Sequence, residues 1–174
     1  IIKKNFLKNN LLEKNIINKI ISSPQERQNI SNLYYNYINY FNINEKHIVD
    51  KSLLNFLWIG FIKILLPNAK IIHCIREPKN NCLSIYKNLF EESLKFSYDE
   101  SNLIEFYKMY QDLMHFWQFE KNISLINVSY EKLISDKENE IKRIIKECDL
   151  HWNEKCLSHH KNKNPIKTMS TAQA

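Results

Sequence analysis

A single glycine, Gly60, stands among 174 residues, and it falls inside a helical pattern. Glycine-rich phosphate loops of the Walker or dinucleotide type need several glycines together, so that backbone can approach a phosphate; this chain cannot build one. Any phosphate site must come from side chains and helix ends. Arginine is scarce as well, with only Arg27, Arg76 and Arg143. The net charge of +6 is therefore carried mostly by scattered lysines. That balance favours anionic ligands, although most of it is solvated surface, and no nucleic-acid partner is expected. No apolar run reaches the roughly 18 residues of a membrane span. No secretory leader opens the sequence either, so a cytoplasmic location is expected. The chain starts without methionine, which points to a trimmed or partial sequence. Cysteines stand at 74, 82, 148 and 156 with no C-x-x-C pair, and are expected as free buried thiols. Zinc on Cys148, Cys156 and His159 or His160 is the alternative. No metal is expected.

What is present centres on Lys70 to Tyr86, KIIHCIREPKNNCLSIY. Ala69 to Ile75 is a short β-branched apolar run, which predicts a buried strand. Glu77-Pro78 stops it, and proline suits the first turn of a following helix. Arg76 then ends the strand and Ser84 lies in the helix's second turn. A guanidinium fork, a helix N-terminus and a hydroxyl near one point make a place for a phosphate. The alternative is an arginine paired with Glu77 or a neighbouring carboxylate.

Residues 1–44 read as a helical lead-in, with one or two amphipathic pieces over Ile1 to Ile21. A helix follows over about Gln25 to Phe41, capped by Ser22-Ser23-Pro24. Tyr34, Tyr37, Ile38 and Phe41 recur along it at helical spacing and are expected in a core. His47 to Asp50 is predicted as a brief strand ending at Lys51. Leu53 to Leu66 is a nearly all-apolar helix, predicted to be buried on a sheet. Strand, helix, strand, helix with short links is the grammar of a parallel sheet. Ligands of such sheets lie beyond the strands' carboxyl ends, so Lys51 and Arg76 are expected at one crevice.

Asn102 to Phe119 is the clearest helix: Leu103, Phe106, Tyr107, Tyr110, Leu113, Met114 and Trp117 form one apolar stripe. Ile123 to Val128 is a third predicted strand. Ser129 caps a short helix after it, placing Tyr130 at the strand's carboxyl end. A helix over Glu138 to Cys148 and a helical piece near Glu154 to His160 follow. Lys161 to Ala174 reads as a loop. The whole is expected as one domain of 174 residues, with residues 45–174 carrying the motifs.

VDKSLLNFLWIG (49–60) followed by PNAKIIHCIREPKNNCLSIY (67–86) resembles the sulfotransferase family. The resemblance is closest to bacterial tetratricopeptide-associated members, which are similar to protein-tyrosine sulfotransferases. VSYEKLI (128–134), CDLHW (148–152) and MSTAQ (169–173) extend the likeness, which runs from about His47 onward. It implies an α/β fold of three layers around a central parallel sheet, related to P-loop nucleoside triphosphatases. It implies 3′-phosphoadenosine 5′-phosphosulfate as co-substrate and a hydroxyl acceptor on a protein tyrosine, a sugar or a small molecule. Arg76 and Ser84 match the family's grip on the 3′-phosphate, and Tyr130 matches a tyrosine near the adenosine. Lys51 and Ser170 match residues at the transferring sulfuryl group. The departures are equally specific. The family's glycine- and hydroxyl-bearing cradle for the 5′-phosphosulfate has no counterpart here, nor has the catalytic base that follows it. Asn88 stands where a basic residue is expected. The expectation is therefore the carboxyl-terminal part of a sulfotransferase domain lacking the first strand-loop-helix, inactive alone. The alternative is a non-catalytic module that binds a 3′-phosphonucleotide and works with a partner.

Overall fold

A computed structural model of the chain describes residues 14–41, 45–88, 90 and 92–161. The chain divides into two compact units, Ile1–Ala69 and Lys70–Ala174.

The first unit is helical. Helix α1 spans Lys14–Ser22 and α2 spans Pro24–Tyr40. Ser23 caps α2: its hydroxyl oxygen accepts the Glu26 N–H at 3.3 Å, and Pro24 fills the first turn. A 3₁₀ turn, Asn55–Trp58, leads into α3, Ile59–Leu65. Ile20, Ile30 and Leu65 form the buried centre, with Phe61 and Leu66 packed against it. The Ser31 hydroxyl donates to the Leu65 carbonyl at 2.7 Å, satisfying a carbonyl at the end of α3.

Three expectations fail here. His47 to Asp50 is not a strand: no neighbour pairs with it among the described residues, and Val49 is 88% exposed. Four residues without a ladder partner gain nothing from extension. The apolar stretch from Leu53 is helical only in short pieces and packs on helices rather than a sheet; Leu53 and Leu57 stay exposed. On α2, Ile38 is buried, but Tyr37 and Phe41 are exposed and stack edge-to-face on each other, so the aromatic spacing does not mark a core.

The second unit carries the sheet. Strand β1, Ile71–Ile75, pairs in parallel with β2, Leu125–Ser129, and Ile75 lies opposite Ser129. Between them run α4, Pro78–Tyr86, and α5, Glu100–His115, which ends in a π turn over Phe116–Glu120. After β2 come α6, Tyr130–Ser135, and α7, Lys137–Glu147, with 3₁₀ turns over Glu154–Lys161. The α5 stripe forms as its period predicts: Leu103 and Met114 are buried, and Phe106, Tyr107, Tyr110, Leu113 and Trp117 are partly so. The scarcity of glycine shows at two helix ends. Asn122 and Asp149 hold the left-handed positions (φ 50° and 57°) just beyond the caps, where glycine is the usual choice.

The described residues therefore form a mixed α/β structure with a two-stranded parallel sheet, not the expected three strands. The cysteines are free, but none is fully buried, and Cys74 is exposed. It shares a face of β1 with Ile72, which is 45% exposed. Among the described residues no group of three His, Cys, Asp or Glu side chains could hold a metal. The side chains of His159 and His160 are not among them. No described helix is long and apolar enough to cross a membrane.

Candidate functional site

Strand pairing assembles the site. Because Ile75 and Ser129 are partners at the ends of parallel strands, the next residue of each chain segment, Arg76 and Tyr130, emerges at the same sheet edge. The Arg76 guanidinium carbon lies 4.8 Å from the centroid of the Tyr130 ring. A cation over an aromatic face at that distance is attracted by the ring quadrupole, which orients the planar fork. Among the described residues no carboxylate closes an ion pair on Arg76. Of the alternative reading, an arginine paired with Glu77 or a neighbouring carboxylate, the Glu77 pair does not form, while Glu131 feels the Arg76 charge without closing an ion pair on it. Glu77 instead caps α4, its Oε2 accepting the Asn80 N–H at 2.7 Å. The first turn of α4 is thereby largely satisfied from within: Pro78 has no N–H, the Asn80 N–H goes to the Glu77 carboxylate and the Asn81 N–H to the Glu77 carbonyl, so Arg76 is the principal group here that favours an anion.

Ser84 lies two turns beyond Glu77, seven residues on and thus on the same side of the helix. It is half-buried, and its hydroxyl has no hydrogen-bond partner among the described residues. Its carbonyl accepts from the Asn88 side chain at 2.6 Å, so Asn88 braces the helix end in place of a second cation.

Lys51 is not at a strand end. It lies exposed in the irregular segment of the first unit, next to Asp50, whose carboxylate accepts the Tyr34 hydroxyl at 3.2 Å. Burial, together with the Asp50 charge, pushes the Tyr34 hydroxyl up to about 12, so it stays a donor. Ser170 lies outside the described residues.

Two features escape the sequence reading. The first is Glu131. Its Oε1 accepts the Glu77 backbone N–H at 2.8 Å, and its Oε2 accepts the Ser129 hydroxyl at 3.0 Å. The Glu77 amide, its own amide, the Ser129 hydroxyl and the Arg76 charge hold this carboxyl below its ordinary range. The second is a polar core under the strands. His73 and Asn127 are register partners, joined from Nδ1 to Oδ1 at 2.9 Å, and His73 Nε2 meets the Tyr110 hydroxyl at 2.5 Å. The Asn127 oxygen only accepts, so Nδ1 carries the proton and Nε2 accepts from Tyr110. Burial lowers the pKa of His73 and pushes Tyr110 up to about 12, keeping both neutral. Arg143 closes the other side of β2, donating to the Asn127 carbonyl at 2.7 Å and pairing with Glu140 and Glu147 at 2.6 and 2.7 Å. The sequence signal for this core was one polar residue in the middle of each apolar strand.

Comparison with known proteins adds a family. A model described as "Sulfotransferase family" matches residues 13–154, more than half of the chain. The match begins within the helical lead-in and ends before Ser170. An uncharacterized protein of Aquifex aeolicus is 29% identical over 129 residues, covering 72% of this chain and 17% of that protein. A Caenorhabditis briggsae protein described as a "putative protein-tyrosine sulfotransferase" is 27% identical over 117 residues, covering 65% of this chain and 40% of that protein. The chain thus spans less than half of either relative's length. No solved structure matches.

Proposed function

The chain belongs to the sulfotransferase family, and from that premise we propose that it supplies the 3′-phosphate half of a donor site for 3′-phosphoadenosine 5′-phosphosulfate. The observation that carries this reading is the Arg76 fork, without an ion pair among the described residues and oriented on Tyr130 at the end of paired strands. Arg76 would take two oxygens of the 3′-phosphate, the Ser84 hydroxyl would add a donor, and Tyr130 would flank the nucleoside. The residues present fit that end of the donor.

They do not fit the other end. A 5′-phosphosulfate needs a cradle of backbone amides, and one glycine in the whole chain cannot build it. When bound, the donor supplies a sulfuryl group to a hydroxyl acceptor, for which protein tyrosine is our first choice. In-line positioning of that group depends on contacts at the uncradled end and is sensitive to misplacement of about 1 Å. Lys51 and Ser170 are proposed to act there, Lys51 by offsetting charge on the departing oxygens. In this reading no metal takes part.

The test is a transfer assay with labelled donor and a tyrosine-containing peptide. The chain by itself should bind adenosine 3′,5′-bisphosphate yet give no transfer above background. Adding a strand-loop-helix with a glycine-threonine core upstream should restore transfer, with Lys51→Ala then lowering turnover more than donor affinity. Robust turnover by the chain as it stands would overturn the half-site reading. Binding without turnover even after that addition would favour a non-catalytic module.

A further inference from the structure

Glu77, the N-cap of α4, has one side of a capping box and lacks the other. Its carboxylate accepts the Asn80 N–H, the outgoing half of the box. The returning half would be a side chain at Asn80 reaching the Glu77 N–H. That amide instead donates to Glu131, 54 residues away in sequence, at 2.8 Å. Glu131 is anchored in turn: Ser129 donates to its second oxygen at 3.0 Å, while the Ser129 oxygen accepts the Lys132 N–H at 3.3 Å. One carboxylate thus joins the turn after β1 to the turn after β2. Each end of the joint is one residue from a site side chain, Glu77 from Arg76 and Glu131 from Tyr130.

We infer that Glu131 is a positioning residue for the phosphate site, holding the two turns together so that Arg76 is presented over Tyr130. This rests on the reading of the site given above. A simpler role, an acidic residue in a helix's first turn, does not account for the bond to Glu77. A carboxylate beside an anion site also carries a cost, since it repels phosphate. Charge and clamp therefore predict opposite effects, and substitution separates them. Removing only the charge should leave phosphate affinity equal or higher. Removing the clamp should lower it.

The experiment is calorimetric titration of the protein with adenosine 3′,5′-bisphosphate, with thermal melts to compare folding. Glu131→Gln keeps an oxygen for the Glu77 amide and should bind within about threefold of wild type. Glu131→Ala should bind about tenfold more weakly, the loss of roughly one net hydrogen bond in the joint. Glu131→Asp, which keeps the charge but is one methylene too short to span the turns, should resemble Ala and replaces it if Ala does not fold. Should Glu131→Ala or Glu131→Asp bind as well as wild type, or Glu131→Gln as poorly as Ala, the clamp is not what positions Arg76. Wild type that ignores the bisphosphate overturns the site reading and this inference together. Binding that needs Arg76 but not the Glu131 clamp overturns this inference alone.

Discussion

Replacing Arg76 by alanine should remove most of the protein's affinity for adenosine 3′,5′-bisphosphate. The structure sets the size of the effect. No carboxylate pairs with Arg76 among the described residues, so a phosphate does not have to displace an existing ion pair. Arg76 is partly buried and its guanidinium is held at 4.8 Å over Tyr130, so ordering it on binding costs little further freedom. A charge-assisted hydrogen bond contributes about 1.5–3 kcal/mol net, and a two-pronged contact somewhat more. Arg76→Ala should therefore cost about 2–4 kcal/mol, or roughly 30- to 700-fold in Kd. Lysine keeps the charge but not the fork, so Arg76→Lys should fall between the two. Folding should change little, because the attraction between the guanidinium and the Tyr130 ring contributes only about 0.5–1 kcal/mol. Calorimetry at fixed salt reads the result. Equal affinity for wild type and Arg76→Ala would refute the argument from strand register to phosphate site.

Ser84→Ala should weaken the same binding by about 1 kcal/mol, one neutral hydrogen bond, measured in the same titration. His73 should make folding sensitive to mild acid. Burial lowers its folded pKa below the usual 6.5, so stability is full above that value and falls as pH drops toward the folded pKa, where the unfolded chain binds the extra proton. Urea unfolding at pH 7.5 and 5.5 should show the difference, and His73→Phe should flatten it; an unchanged pH slope would contradict the assignment. Arg143→Met should lower the urea midpoint by the equivalent of about 1–3 kcal/mol. It strands the Asn127 carbonyl and Glu140, a side chain only 10% exposed, and a midpoint within error of wild type would show that the pairing is only incidental.

How far the sequence carried this account depended on the kind of signal. Elements with local causes were legible: Ser23-Pro24 started α2, Glu77-Pro78 started α4, and the stripe from Leu103 to Trp117 defined the inner side of α5. Tyr130 at a strand end followed from the run before it and the Ser129 cap. The failures came where burial depends on partners far along the chain. Residues 47–50 looked extended but find no strand to pair with among the described residues, and Tyr37 and Phe41 have helical spacing yet stay exposed. Glu131 was invisible for the same reason. Its acceptor role joins positions 77 and 131, and no spacing rule links residues that far apart. Ser170 rests on resemblance alone, and so does Lys51 once the strand expected before it does not form.

In the proposed site, Arg76 and its neighbours recognise a 3′-phosphate rather than nucleotides at large. The most direct test compares wild-type affinity for adenosine 3′,5′-bisphosphate with that for adenosine 5′-phosphate at one salt concentration. The bisphosphate should bind at least about tenfold more tightly, from the charge-assisted bonds only the 3′-phosphate can accept. Equal affinity for the two would contradict it.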